Sequence, residues 1–349
     1  MLTTKSKSDT LDHVATASIP ELKALLDSND THLEHELQVR AKTLAELQFG
    51  RRIYLRGLIE ISNVCRNDCY YCGIRSGNER VTRYRLTADE VMSACERGYE
   101  IGFRTFVLQG GEDPYWRGER LVSLVRNIRT SYPECAITLS LGEMEYAEYE
   151  ALFRAGANRY LLRHETYDKE HYESLHPSTM AQEHRLQALR DLKQIGYQVG
   201  TGVMIGSPGQ TTAHLAQDLD FIHRLQPAMI GVGPFIPHED TPLGTYPAGS
   251  LSMTLRFLAL CRLLNPRALI PATTAVATLH PEGRLAAIRS GCNVVMPNLS
   301  PLNHRADYAL YNNKAYSGSE AAEGVALLQT QLDTIGYQID WGRGDAPAS

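Results

Sequence analysis

Leu55-Arg56-Gly57-Leu58-Ile59-Glu60-Ile61 is a short apolar run that leads directly into Ser62-Asn63-Val64-Cys65-Arg66-Asn67-Asp68-Cys69-Tyr70-Tyr71-Cys72-Gly73. The run has the length and apolar density of a buried strand. The loop after it gathers three of the seven cysteines into eight residues, spaced C-x3-C-x2-C. Thiolates are soft ligands that suit zinc or iron–sulfur clusters. Structural zinc closes its shell with four ligands, and the next Cys and His after the loop are the distant Cys95 and His164. Three thiolates on a four-iron cubane leave one iron open to a substrate or cofactor. Read from the residues alone, a zinc site with a remote fourth ligand and three unpaired thiols stay as the alternatives.

Outward from this segment, seven more strand candidates follow: Thr105–Gln109, Ala136–Leu141, Arg159–Arg163, Gln198–Ile205, Ala228–Gly233, Ala268–Thr273 and Asn293–Met296. Helical patterns separate them, at Thr87–Gly102, Glu119–Ser131, Glu145–Ala155, Ala181–Gly196, Thr211–Gln226, Ser252–Leu264 and Pro281–Gly291. Strands alternating with helices imply a parallel sheet. Eight such units over about 250 residues predict an α/β fold, a (β/α)8 TIM barrel. No Gly-x-Gly-x-x-Gly follows the first strand, which speaks against a dinucleotide fold. In a barrel the reactive groups gather at the carboxyl ends of the strands, where the cysteine loop falls. We expect a helical extension over residues 1–50, the barrel over 51–312, and a C-terminal helix and tail over 313–349. In the extension, Leu33, Leu37, Val39, Leu44 and Leu47 recur at roughly helical spacing. The last helix is expected at Ser319–Ile335, and the polar stretch Arg343–Ser349 reads as mobile.

Composition bounds the function. The chain has 349 residues, a net charge of −5, 43% apolar and 21% charged residues, which excludes a disordered or collagen-like chain. A pI near 6.2 speaks against nucleic-acid binding, which shows a basic excess. No apolar run is long enough for a membrane span, and Met1–Thr10 has no apolar signal core, so a cytoplasmic protein is expected. An odd cysteine count without an export signal does not suggest a disulfide framework. Cys95 and Cys261 fall in helices and Cys135 and Cys292 near strand starts, positions that read as core packing.

A C-x3-C-x2-C loop at the start of such a barrel resembles the radical S-adenosylmethionine (SAM) superfamily. The resemblance implies one [4Fe–4S] cluster on Cys65, Cys69 and Cys72, SAM chelated to the open iron, and one-electron cleavage of SAM to a 5′-deoxyadenosyl radical. Tyr71 matches the aromatic position of the family motif, with core packing as the plain alternative. Gly110-Gly111-Glu112, after strand two, matches the segment that meets the SAM amino group; glycines let backbone approach a ligand closely.

Longer segments narrow the family. They are Arg83-Tyr84-Arg85, LQGGEDPY at Leu108–Tyr115, TLSLGE at Thr138–Glu143, RYLLRHET at Arg159–Thr166, SPGQT at Ser207–Thr211, GPFIPHEDTPL at Gly233–Leu243, IPATTA at Ile270–Ala275 and NVVMPN at Asn293–Asn298. In this order they resemble the HydE family, radical SAM maturases of [FeFe]-hydrogenase, over about residues 20–340. Ser140, Glu165 and Arg185 match positions that contact SAM. A carboxylate such as Glu165 suits ribose hydroxyls, and Arg185 suits the SAM carboxylate, against a solvated helix charge. Arg163, Thr273, Thr274, Met296 and Tyr308 match positions lining the cavity where small anions or the iron complex sit, although strand propensity also explains the two threonines.

Two positions depart from the family. Tyr311–Gly324 holds no cysteine where some relatives carry a second cluster, so a single cluster is expected, and His304 stands at a cavity-rim position where Tyr occurs among relatives. The resemblance implies an enzyme acting on an iron–cysteine complex bearing CO and cyanide, toward the diiron subcluster of the hydrogenase H-cluster. Its implied partners are the tyrosine-cleaving radical SAM maturase, a GTPase scaffold maturase and a low-potential electron donor, with no nucleic acid and no membrane. The rivals are a lysine mutase like methylornithine synthase and a non-enzymatic iron–sulfur carrier. A biotin-synthase-like activity needs a second cysteine-held cluster inside the barrel, for which no such set is found.

Overall fold

The eight apolar runs become the staves of one closed ring in the computed structural model, which describes residues 11–314 and 321–347. The strands are β1 (Arg52–Leu55), β2 (Gly57–Ser62), β3 (Thr105–Gly110), β4 (Ala136–Ser140), β5 (Arg159–Leu161), β6 (Gln198–Thr201), β7 (Met204–Ile205), β8 (Met229–Ile230), β9 (Gly233–Pro234), β10 (Val294–Val295) and β11 (Gln338–Asp340). Six of them pair in the order β2-β3-β4-β5-β6-β8, all parallel. The ring is completed by single parallel bridges. Met229 pairs with Leu269, Pro271 with Val294, and Asn298 with Leu58. The bridging backbone bonds are sound: Ile230 N–H to Leu269 O at 3.0 Å and Leu58 N–H to Pro297 O at 2.9 Å.

Several boundaries differ from the sequence reading. The Ala268–Thr273 run joins the ring only through bridges at Leu269 and Pro271. The fifth run breaks after Thr201 and resumes as β7, and the sixth breaks after Ile230 and resumes as β9; the resumed halves pair with each other. Apolar periodicity does not register such breaks, because both halves are buried. β1 and β11 form a small extra sheet with β10 beneath the barrel.

The covering helices bury one face each. In the helix Ala88–Ile101, the Thr87–Glu90 capping box starts the helix and Val91, Ala94, Cys95 and Gly98 face the sheet. Of the extension, helices Ile19–Leu26 and Thr31–Phe49 pack on the helices Thr212–Leu225 and Leu251–Leu264. Their inward stripe is Leu33, Leu37, Ala41, Ala45 and Phe49, while Val39 and Leu47 are exposed. Leu33 and Leu37 of the spaced apolar residues lie on this stripe, and Ala41 and Ala45 continue it, since small alanines let helices approach and carry little hydrophobic signal.

The expected mobile tail is a correction. Arg343–Asp345 is bound under the barrel by Arg159, which is fully buried and donates to Arg343 O at 3.1 Å, Gly344 O at 2.9 Å and Asp345 Oδ1 at 2.7 Å. Met1–Thr10, residues 315–320 (with Ser319, the expected helix start) and the last two residues lie outside the described residues, while the described part of the C-terminal helix is Ala321–Asp333. Cys95, Cys135, Cys261 and Cys292 are buried. No helix among the described residues is long and apolar enough to cross a membrane.

Candidate active site at the barrel mouth

The cysteine loop leaves the carboxyl end of β2 and is shaped by residues distant in sequence. Asn63 donates from Nδ2 to Thr82 O at 2.8 Å and Asp307 O at 2.7 Å, and its Oδ1 accepts Tyr84 N–H at 2.8 Å. Arg83 reaches under the loop and donates to four carbonyls, those of Asn63, Ile74, Arg75 and Asn78, at 2.6–3.0 Å. Arg85 forms a fork with Asp113, Nε to Oδ2 at 2.7 Å and Nη2 to Oδ1 at 3.0 Å, and Ser62 Oγ donates to the same carboxylate at 2.7 Å. Burial penalises the Asp113 charge, yet these hydrogen bonds hold its carboxyl below the usual range. The Arg83-Tyr84-Arg85 segment is therefore the frame of the loop, a role that needed the folded contacts to be read.

All three loop thiols are half-buried and unpaired. Burial, together with the neighbouring thiols, pushes Cys69 up, and burial pushes Cys72 up to about 12 and raises Cys65. Such thiols stay protonated unless a cationic centre takes them as thiolates. Glu112 N–H points at Cys65 Sγ, at 3.4 Å, a contact that favours the thiolate. Three thiols on one loop are soft donors, and a cubane takes each thiolate on a different iron, so this donor set fits an iron–sulfur cluster. Gly111 makes room beside it: a Cβ there would sit 2.3 Å from Val64 O and 2.7 Å from Cys65 Cβ.

Around the loop lie the other expected cofactor residues. Tyr71 is held by its phenol, which donates to His176 Nε2 at 3.2 Å, while His176 Nδ1 donates to Tyr172 O at 2.8 Å. Burial pushes the His176 pKa down to about 4, so the ring is neutral and this tautomer is required. Met180 Sδ lies 3.7 Å from Cys69 Sγ. The Glu112 carboxylate serves the scaffold: Oε2 accepts Arg66 Nε at 3.1 Å and Oε1 accepts Glu143 N–H at 2.9 Å. Gly142, with φ +74°, leaves the space that Glu112 fills. Of the Gly110-Gly111-Glu112 segment, the glycine backbone thus faces the cysteines more directly than the carboxylate does. Ser140 ends β4 half-buried, its hydroxyl without a hydrogen bond among the described residues. Arg185 is buried, paired by Nε with Glu143 and by Nη1 with Arg163 O at 3.0 Å, which leaves Nη2 without a protein partner among the described residues.

The turn after β5 presents Arg163 and Glu165 to the mouth, joined at 2.7 Å. Arg163 Nε is buried and meets no acceptor among the described residues. Thr273 precedes the helix Thr274–Leu279 at the N-cap position, but its Oγ1 donates to Val232 O at 3.3 Å rather than capping the helix. Tyr308 is buried, and Gln109 Nε2 donates to its phenol at 3.4 Å. Met296 is half-buried and packs against the small apolar cluster that contains Met229 and Leu269. Two charged groups of the barrel interior were not foreseen. Arg56 crosses the interior to Met229 Sδ at 2.8 Å, with its other two nitrogens unpaired among the described residues. Lys314 lies over the Tyr308 ring and pairs with the buried Glu60, closing a strap across the mouth.

Comparison with known proteins agrees with this geometry. The profile of the Radical SAM superfamily matches residues 59–222. The [FeFe] hydrogenase maturase subunit HydE of Thermotoga maritima is 40% identical over 323 residues, 92% of each chain. The 3-methylornithine synthase of Methanosarcina acetivorans is 31% identical over 293 residues, 82% of each chain. The crystal structure of methylornithine synthase (PylB) superposes with a TM-score of 0.82 at 27% identity, covering 96% of this chain and 97% of that one. Identity at the level shared with HydE, spread over nearly the whole of both chains, makes this chain a radical SAM enzyme of the HydE family.

Proposed function

We propose that this enzyme cleaves SAM reductively at a single [4Fe–4S] cluster on Cys65, Cys69 and Cys72, and acts on a small iron–cysteine complex bearing CO and cyanide in hydrogenase cofactor assembly. The observation that carries the substrate is the 40% identity to HydE across 92% of both chains. When bound, the cluster supplies the electron that breaks the SAM sulfonium to methionine and a 5′-deoxyadenosyl radical. This chain's residues bind and orient. Arg185 Nη2 takes the SAM carboxylate, Ser140 Oγ and the Glu165 carboxylate take hydroxyls, and the backbone of Gly110 and Gly111 takes the amino group. Tyr71, fixed by His176, presents its ring beside the cofactor. Arg163, with a buried free Nε, holds the anionic iron complex, with Thr273, Thr274, Met296 and Tyr308 as the other lining residues. The strap from Asp307 to Lys314 excludes water from the mouth, which strengthens these polar contacts. No cysteine follows Cys292, so one cluster is expected. The product would pass to a GTPase scaffold, the substrate would come from a tyrosine-cleaving maturase, and a low-potential donor would reduce the cluster.

A second reading, rearrangement of lysine, is favoured by the 31% identity to 3-methylornithine synthase. Anaerobically reconstituted protein with dithionite, SAM and a synthetic dicarbonyl–cyanide iron–cysteine complex separates the two. We expect 5′-deoxyadenosine formation to rise with the complex and an adenosyl group to reach the cysteine sulfur. Cleavage indifferent to the complex but stimulated by lysine would replace the first reading with the second. No cleavage by protein with an intact reduced cluster would leave an iron–sulfur carrier.

A further inference from the structure

Glu165 has left-handed backbone, φ +66°, without being glycine. Such a conformation persists only where its surroundings hold it. From the barrel side, Glu165 N–H donates to Gly202 O at 3.1 Å, Arg185 Nη1 to Arg163 O at 3.0 Å, and Gln182 Nε2 to Thr166 O at 2.9 Å. A further brace comes from behind the wall. Asp218, on the helix Thr212–Leu225, accepts Tyr167 N–H on Oδ1 at 2.6 Å, and the same oxygen lies 3.2 Å from His164 Nε2. His164 Nδ1 lies 2.8 Å from Thr201 Oγ1. His164, Thr201 and Asp218 are fully buried. Phe221 packs edge-on to His164, 4.8 Å between centroids, and stacks on Tyr167 at 4.6 Å. His164 packs against this helix through Phe221 and Asp218, while its neighbours Arg163 and Glu165 pair with each other at 2.7 Å. Asp218 Oδ2 has no partner among the described residues. A buried carboxylate oxygen left unpaired is costly, which sets this group apart from ordinary core packing.

We propose that Asp218 is a positioning residue for SAM binding: through Tyr167 N–H and the His164 ring it locks the left-handed turn that carries Glu165 into the mouth beside Arg163. The inference rests on the reading of Glu165 as a SAM contact. Removing the brace releases the turn, and the carboxylate then samples directions that do not face the cofactor, with no loss of any group that touches it.

The test uses the full chain with its cluster reconstituted, reading iron and sulfide content and the SAM dissociation constant from the change SAM makes in the spectrum of the reduced cluster. Asp218→Ala should keep the cluster and weaken SAM binding about tenfold, whereas Asp218→Asn, which keeps an acceptor for Tyr167, should stay within about threefold of wild type. Combined with Glu165→Gln, Asp218→Ala should add little to the loss from Glu165→Gln alone, because both remove one interaction. Wild-type SAM affinity in Asp218→Ala, or losses that simply multiply in the double variant, would overturn the inference. Should Asp218→Ala fail to fold, His164→Gln takes its place, with the expected weakening about fivefold and unchanged affinity again overturning it. A wild-type cluster that ignores SAM would overturn the functional reading and this inference together, while SAM binding left untouched by the brace variants overturns the inference alone.

Discussion

Arg159 and Arg163 stand four positions apart on the same run and face the same interior, yet their surroundings are opposites. Arg159, at the floor, is fully buried and satisfied: it meets Thr105 Oγ1, Gln198 Oε1, two tail carbonyls and the Asp345 carboxylate. Arg163, at the mouth, meets only Glu165 through its side chain and keeps a buried Nε with no acceptor among the described residues. A saturated guanidinium contributes stability. An unsaturated one keeps its binding capacity for a ligand, at a cost the rest of the fold offsets. The floor arginine helps hold the barrel together, and the mouth arginine keeps an unpaired buried donor.

The contrast is broken most severely at the cysteines. Cys65→Ala should abolish cluster retention, so that iron and sulfide after anaerobic reconstitution fall to background, while thermal unfolding of the apo-protein stays within about 1 kcal/mol of wild type. Retained iron and sulfide in that variant would remove the loop from the site. Next in size is the floor. Arg159→Met should destabilise by roughly 2–4 kcal/mol, because tail carbonyls and Asp345 lose a charged donor, and the loss should appear in denaturant unfolding without a change in the cluster's response to SAM. Arg163→Met should behave in the reverse way: stability within about 1 kcal/mol, but turnover of the iron complex down about a hundredfold, as for a lost charge-assisted donor. Equal stability losses in the two arginine variants would erase the distinction between the ends.

How much of this was legible in the sequence follows the range of the contacts. The eight staves were visible because each is a local apolar run, and the cysteine loop because its spacing is local. The strap Lys314–Glu60, the Arg83 clamp and the Arg56 crossing were not, since each joins residues that only the closed ring brings together. The tail read as mobile for the same reason: its partner, Arg159, lies 184 positions away from Arg343. In the helix Thr31–Phe49 the spaced apolar residues included Leu33 and Leu37, which are buried, but also Val39 and Leu47, which are exposed, whereas the stripe continues through Ala41 and Ala45. Alanine marks close helix approach and is nearly silent in an apolar pattern.

The smallest expected effect sharpens the mouth side. His176 is buried and neutral, with its pKa pushed down to about 4. An unfolded histidine titrates near 6.5, so below that pH the unfolded chain takes up a proton that the folded one refuses. This contribution is full above pH 6.5 and is lost as pH falls toward 4. Thermal unfolding between pH 7 and 5 should therefore fall less steeply in His176→Gln than in wild type, and parallel slopes would show that the ring is not held neutral.

The most direct measurement is the electron paramagnetic resonance spectrum of the reduced, reconstituted protein, recorded before and after adding SAM. About four irons per chain, one reduced-cluster signal, a shift in that signal with SAM, and 5′-deoxyadenosine in the same sample are expected. A full cluster whose spectrum is identical with and without SAM, and which forms no 5′-deoxyadenosine, would contradict the proposed function.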